Sequence, residues 1–458
     1  MKKILIMSAL LSPLNAQALT EQTFVERLRA THPFFNQQAL SSKIKLIEKR
    51  ATKANEDWVV AVESAYQSAH KNSNDLSTAT ANLDTASIGL SATRKHANTG
   101  SNITFKHTWR NKSKSTNTTN NGFSLDYTYP LLRNKDGINE RLSGDVAQIA
   151  INQNTLQRLE AEEVFILSKL KLFIDLVYAQ EQYSINEQRL ALSKKELALV
   201  KSKYSASVVE KVDVLSQQDA YQTANQKLLQ AQQDLTLLRH EIAVALDLDF
   251  EQVVASTDLY KIYHPSEIAL KAYLSKNSRV LKINNLSQKI LKRQLLSFKN
   301  TSKAKLDLKL GISSAGENTN YSKSLSNQST TWKVGLGLSY PIGGIKADSN
   351  IKKTNMELEI LVQSKREQLL DIYTQAKTLK EKIQFLEKMM HSNQVQIKIA
   401  SARTVEEKQR YSNGNGEASF VINAQNNEQV VKLSYAQVAK NYQKAILAFK
   451  ASIDQLVE

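Results

Sequence analysis

No glycine occurs between Gly144 and Gly311, and the single proline in that interval is Pro265. Tight turns draw on glycine and proline, so such a stretch cannot be cut into many short elements. It must fold largely as long helices. Its apolar residues agree: Leu228, Ala231, Leu235, Leu238, Ile242 and Ala245 recur in alternating steps of three and four. Further on, Leu369, Tyr373, Ala376, Leu379, Ile383, Leu386 and Met390 repeat the pattern. Such spacing is a coiled-coil seam, read as a core against neighbouring helices. Residues 140–204 predict one continuous helix, a rod of roughly 100 Å at 1.5 Å rise per residue.

All 13 glycines lie in 89–144, in 311–344, or in the pair Gly414 and Gly416. The first two windows, and residues just before them, alternate with period two. Candidate strands are 58–66, 86–95, 102–110, 123–130, 305–313 and 332–341, joined by Asn/Ser/Thr-rich connections at 115–122 and 317–330. Tilted strands of about 9–11 residues are long enough to cross a bilayer.

Lys2 and Lys3 precede an apolar run over 4–14 and the small-x-small tripeptide Ala16-Gln17-Ala18. That order predicts a secretory signal peptide over 1–18 and an exported chain. No later run approaches the ~20 apolar residues of a spanning helix. Entry into a membrane would therefore require a closed β-barrel, in which every backbone group is paired. Cysteine is absent, which excludes disulfides, thiolate metal sites, a cysteine nucleophile and a lipid-modified N-terminal cysteine. The formal net charge is +17, but the basic residues are scattered over polar faces without forming a stripe. Nucleic acid is not an expected partner.

The chain also repeats itself. An offset of 207 lays Tyr204-Ser205 on Tyr411-Ser412, Glu210 on Glu417, Val214-Leu215 on Val421-Ile422 and Gln218 on Gln425. An offset of 211 lays Tyr129-Pro130-Leu131 on Tyr340-Pro341-Ile342, each at a strand end before a long helix. A proline belongs there because it has no amide to give to a ladder. The expected organisation is a first repeat over 19–246 with its turn near 205–212, a linker over 247–275, and a second repeat over 276–458 with its turn near 412–419. A period this long marks a duplicated domain and not a solenoid.

The order of elements, Thr31-His32-Pro33 before the first helix, the paired Tyr-Pro strand ends and the paired turns resemble the TolC-like outer-membrane efflux proteins. The resemblance implies a mainly α chain with membrane β structure: a long α-helical coiled-coil barrel plus four transmembrane strands per protomer. Three protomers would then form a twelve-stranded β-barrel and a periplasmic α-tunnel. Closure by several copies answers the problem of open sheet edges in lipid. Residues 86–110 exceed the four strands, and the sequence does not place them; a hairpin outside the barrel is one reading of them.

No enzyme, cofactor or metal site is expected. The histidines at 32, 70, 96, 107, 240, 264 and 391 form neither HExxH nor an i,i+4 pair, and no GxxxxGK[ST] occurs. The resemblance implies an exit duct in the outer membrane of a Gram-negative bacterium, extending into the periplasm, surrounded by lipid and energised by an inner-membrane transporter. A periplasmic adaptor would meet it at Ser205, Ala206, Ser207, Val208 and Val209, and at Ser412, Asn413, Gly414, Asn415 and Gly416. Ser207 stands where the family usually has glycine. The gate is expected at Phe420 and Asn423 of the second turn, where members have acidic residues, with Asp213 and Ser216 at the same positions of the first turn and Tyr411 beside them. Tyr411 and Asp213 match positions that hydrogen-bond in the family's closed state, and Gly416 replaces a locking arginine. Three Phe420 rings on a threefold axis would make a dewetting barrier; the alternative is a Phe420 packed between helices. The competing function is a soluble periplasmic coiled-coil scaffold, with the strands as a sheet cap. Drug efflux and protein secretion use the same duct and are not separated by sequence.

Overall fold

The structure, a computed structural model, describes residues 18–69, 83–113, 117–264, 267–340 and 342–456. The predicted signal peptide lies outside them except for Ala18, as do His70, Pro265 and Pro341. In chain order the first elements are α1 (Glu21–Thr31), α2 (Pro33–Ala51), β1 (Val59–Ala69), β2 (Leu83–Lys95), β3 (Asn102–Ser113), β4 (Thr118–Pro130), α3 (Leu142–Ser205) and α4 (Lys211–Leu246). They are followed by α5 (Leu270–Asn277), α6 (Arg279–Thr301), β5 (Lys305–Asn318), α7 (Tyr321–Ser326), β6 (Ser329–Ser339), α8 (Ile345–Ser412) and α9 (Ala418–Ser452). The chain forms two compact units.

One unit holds the chain up to Ala39, Gln157–Leu281 and the chain from Glu367. It is helical for the reason the spacing predicts. On α4, Ala231, Leu235 and Ile242 are buried, as are Ala376, Ile383, Leu386 and Met390 on α8. Apart from Ala231, they join Phe24 and Leu28 of α1, Phe173 and Leu176 of α3, and Tyr442 and Phe449 of α9 in one core. The segment between α4 and α5 is packed into it. Val253 and Leu259 are buried, and Leu19 donates its N–H to the Val254 carbonyl at 2.7 Å. The Tyr442 hydroxyl accepts from the Tyr263 N–H at 3.0 Å. Among the described residues, no helix is long and apolar enough to cross a membrane.

The other unit, Leu40–Leu156 with Lys282–Arg366, is built around one antiparallel sheet of order β1-β2-β3-β4-β5-β6. One open reading is narrowed here and one expectation is corrected. The hairpin of residues 86–110 does not stand apart, because β2 pairs along its length with β1 and β3 along its length with β4. The chain therefore brings six strands to the sheet, not four. The 115–122 connection also shrinks, since Thr119, Asn120, Asn121 and Gly122 are laddered between β3 and β5. A run of Asn and Thr reads as loop by local propensity, and here cross-strand pairing overrides it. At the far end, α7 folds back on the sheet. Gly316 permits that approach, since a Cβ there would lie 2.1 Å from the Ser324 carbonyl oxygen.

Candidate functional site: a two-faced sheet and the tip turns

Residues directly opposite in an antiparallel ladder share a face. Tracing the register from Val62 leads to Leu90, His107 and Phe123, and from Leu125 to Ile312 and Trp332. The same face carries Val60 and Tyr66 on β1, Ile88 on β2, Phe105 and Trp109 on β3, Leu308 and Leu310 on β5, and Val334, Leu336 and Leu338 on β6. It is apolar across all six strands. Its large side chains are bare: Trp332 is 77% exposed and Leu338 71%. The apolar residues form a band and not the whole face, which also carries Ser64, Asp84, Arg94, Asn111, Asn121, Ser314 and Thr330. Within the band His107 is stacked on Phe123 at 4.3 Å with Nδ1 3.2 Å from the Gly122 carbonyl oxygen.

The opposite face is polar and small. It presents Glu63, Gly89, Ser91, Lys106, Thr108, Ser124, Asp126, Lys309, Gly311, Ser313 and Lys333. The stems of Lys106, Lys309 and Lys333 run past Gly89, Gly337 and Gly311 on neighbouring strands. The lysines lie along the wall where glycine leaves it bare. Apolar on one side and polar on the other is the strand pattern of a barrel between lipid and water.

The two tips are built alike. After α3, the N–H groups of Ala206, Ser207 and Val208 donate to the carbonyls of Ser202, Tyr204 and Lys203. After α8, those of Asn413, Gly414 and Asn415 donate to Gln409, Tyr411 and Arg410, each partner displaced by the same offset as in the sequence repeat. Ser207 takes φ +57° and Gly414 φ +78°. The serine thus occupies the same left-handed turn as the glycine, at a steric cost that glycine avoids. Glu210 and Glu417 then cap α4 and α9. Of the ten residues expected to face an adaptor, Val209 and Gly416 are partly covered and the other eight are exposed. Ser207→Gly should therefore raise thermal stability by up to ~1 kcal/mol and Gly414→Ser lower it by a similar amount. Opposite signs at equivalent positions are the expected reading in a melting series.

Of the expected gate residues, Phe420 is 45% exposed, while its neighbours Ala418 and Val421 are buried. Within one chain its ring is presented outward and not packed between helices. Asn423 and Ser216 are also exposed, and Asp213 is half-buried. Tyr411 and Asp213 share no hydrogen bond. The Asp213 carboxylate accepts the Glu210 N–H at 3.2 Å, closing the cap of its own helix. The Tyr411 hydroxyl is buried without a hydrogen-bond partner. Burial holds its pKa above the ordinary value, with the charges of Asp213 and Glu196 adding to the effect. The Lys203 ammonium lies 4.2 Å from the ring centroid.

Tyr411 lines a cleft of about 360 Å³ with Glu196, Leu199, Lys203 and Gln217. Glu196 pairs with Lys408 at 3.2 Å and accepts from Gln425. Nearby, the buried Arg189 donates to Ser193 at 2.6 Å and Asn426 at 3.0 Å. Sequence reasoning missed this polar band, since charged residues on helices usually mark a solvated face. Gln425 was within reach, because the repeat aligns it with Gln218. Among the described residues, no group of His, Asp and Glu is placed to hold a metal ion.

No family model and no curated protein matches the chain. Solved structures do. The channel-forming protein CusC matches with a TM-score of 0.70 at 12% identity, over 94% of this chain and 91% of that one. The outer-membrane channel MtrE of Neisseria gonorrhoeae, in its open state, matches with a TM-score of 0.69 at 12% identity, over 95% and 89%. The outer-membrane protein VceC of Vibrio cholerae matches with a TM-score of 0.67 at 10% identity, over 95% and 96%. At such identities the likeness is one of fold, and it spans nearly the whole of each chain. Duplicated helical hairpins, a sheet with one apolar face and paired tip turns give this chain the fold of the TolC-like outer-membrane channels.

Proposed function

We propose that the chain is the outer-membrane exit duct of an export system, working as a homotrimer. The observation that carries this reading is the sheet's apolar face, continuous over six strands and backed by a polar one. A soluble scaffold has no use for such a face, whereas lipid covers it. An open sheet cannot stand in a bilayer, so copies must close it. The helical hairpins, read as a duplicated domain with boundaries at 246 and 276, extend into the periplasm. Their turns, 205–209 and 412–416, meet a periplasmic adaptor that links the duct to an inner-membrane transporter. Solutes, whether small molecules or proteins, pass through without chemistry.

At the periplasmic end, Phe420 with Asn423, Asp213 and Ser216 forms the constriction. An exposed aromatic ring beside two buried neighbours is free to meet its copies on the threefold axis, where apolar rings exclude water. Planar-bilayer recording tests both levels. The purified wild type should insert and conduct weakly, and Phe420→Ala should conduct several-fold more. Equal conductance of the two would remove Phe420 from the gate. Failure of both proteins to insert would remove the duct.

A further inference from the structure

We infer that the wall of the barrel takes six strands from every copy, with β6 of one copy laddered to β1 of the next. This rests on the trimeric duct proposed above and changes its barrel from twelve strands to eighteen. Three observations carry it.

The first is that the β2–β3 hairpin has the same two faces as the rest of the sheet. Ile88, Leu90 and Phe105 continue the apolar face, and Ser91, Lys106 and Thr108 continue the polar one. A hairpin standing in water beyond the barrel would have no reason to keep that alternation in register with its neighbours.

The second is the state of the two outer strands. All eleven residues of β1 and all but one of β6 are exposed. A free edge strand is ordinarily protected by proline, repeated charge or a bulge. Neither strand has proline, and each has a single charge: Glu63 on β1 and Lys333 on β6. Both charges lie on the polar face, and their signs are opposite. These edges suit each other, and the occupant they fit is a second copy of the chain.

The third is parity. Every pairing in the sheet is antiparallel and the strand number is even. β6 therefore runs opposite to β1, and the next copy's β1 continues the alternation without a parallel seam. With strands about 4.8 Å apart and tilted ~40°, eighteen strands give a backbone diameter of about 36 Å, against about 24 Å for twelve. The exit is about half as wide again.

Because the chain lacks cysteine, cysteines can be placed on a clean background in the full-length, membrane-embedded protein. Native mass measurement first counts the copies. Three supports the trimer, and any other number overturns eighteen strands. A membrane-impermeant maleimide then probes the hairpin. Cysteines replacing Ser91 and Thr108 should react at least about tenfold faster than cysteines replacing Ile88 and Phe105, which face lipid. Equal rates would place the hairpin in water and overturn the inference while leaving the duct standing. Finally, Val334→Cys is combined in turn with Val60→Cys, Val62→Cys and Ser64→Cys. Oxidation should link copies in a covalent ladder for the pair in register, since facing strand residues meet disulfide geometry. No link between copies in any combination would overturn the β6–β1 seam.

Discussion

Ile312→Arg will keep the chain out of the outer membrane, whereas Ser313→Arg, one residue along the same strand, will assemble almost normally. Ile312 lies between Leu125 and Trp332 on the apolar face, and Ser313 between Ser124 and Thr331 on the polar one. A guanidinium on the lipid side of a barrel costs about 2–4 kcal/mol at mid-depth. In the proposed trimer three copies multiply that cost. On the polar face, which the proposed duct turns towards water, the same group stays hydrated. The measurement is the fraction of heat-modifiable trimer in the outer-membrane pellet, which should fall to near zero for Ile312→Arg. Equal assembly of both variants would show that the two faces are not divided between lipid and water.

The second large effect concerns the helical unit. The Arg279 side chain is 8% exposed, with Nε 2.7 Å from Glu160 and Nη2 3.4 Å from Asp454. It also pairs with Glu163, and its backbone N–H donates to Asp454 at 2.7 Å. Truncating one partner of a buried ion cluster leaves the others unpaired, at about 3–5 kcal/mol. Arg279→Met should therefore lower the thermal midpoint sharply, and Arg279→Lys should recover part of the loss by restoring charge without the planar fork. The pH dependence gives the mechanism away. Burial already holds the Glu160 carboxyl above its ordinary value, and Arg279 opposes that rise. With its folded pKa raised, Glu160 binds more protons in the folded chain, so its contribution to stability falls as pH rises through that window. Without Arg279 the rise grows. The deficit of Arg279→Met should shrink on acidification from neutral pH towards the ordinary carboxylate range. A deficit constant across that range would mean lost packing and not stranded charge.

What could be read from the residues divides along a physical line. The long helices were legible because a seam such as Leu235 to Ile242 repeats locally, and each residue's burial follows from its own helix. All six strands were legible as alternating segments for the same reason. Their membership of one sheet was not. Alternation in 86–110 looks the same whether the hairpin is in the sheet or beside it, and only its pairing with Val59–Ala69 and Thr118–Pro130 decides. The tips were legible through the repeat: Ser207 turns left-handed because it occupies the place of Gly414. The polar band around Glu196 and Arg189 was hidden, since nothing local distinguishes a charge that faces a neighbouring helix from one that faces water.

The insertion of β2 and β3 between β1 and β4 has a consequence for how such walls change size over evolution. A single added strand would force two neighbours to run parallel. A whole hairpin does not. Each chain thus keeps its antiparallel ladder when it widens or narrows by pairs of strands, and in the proposed trimer the three chains change together. Bore diameter in such an assembly changes in steps set by the antiparallel ladder and not by any demand of the cargo.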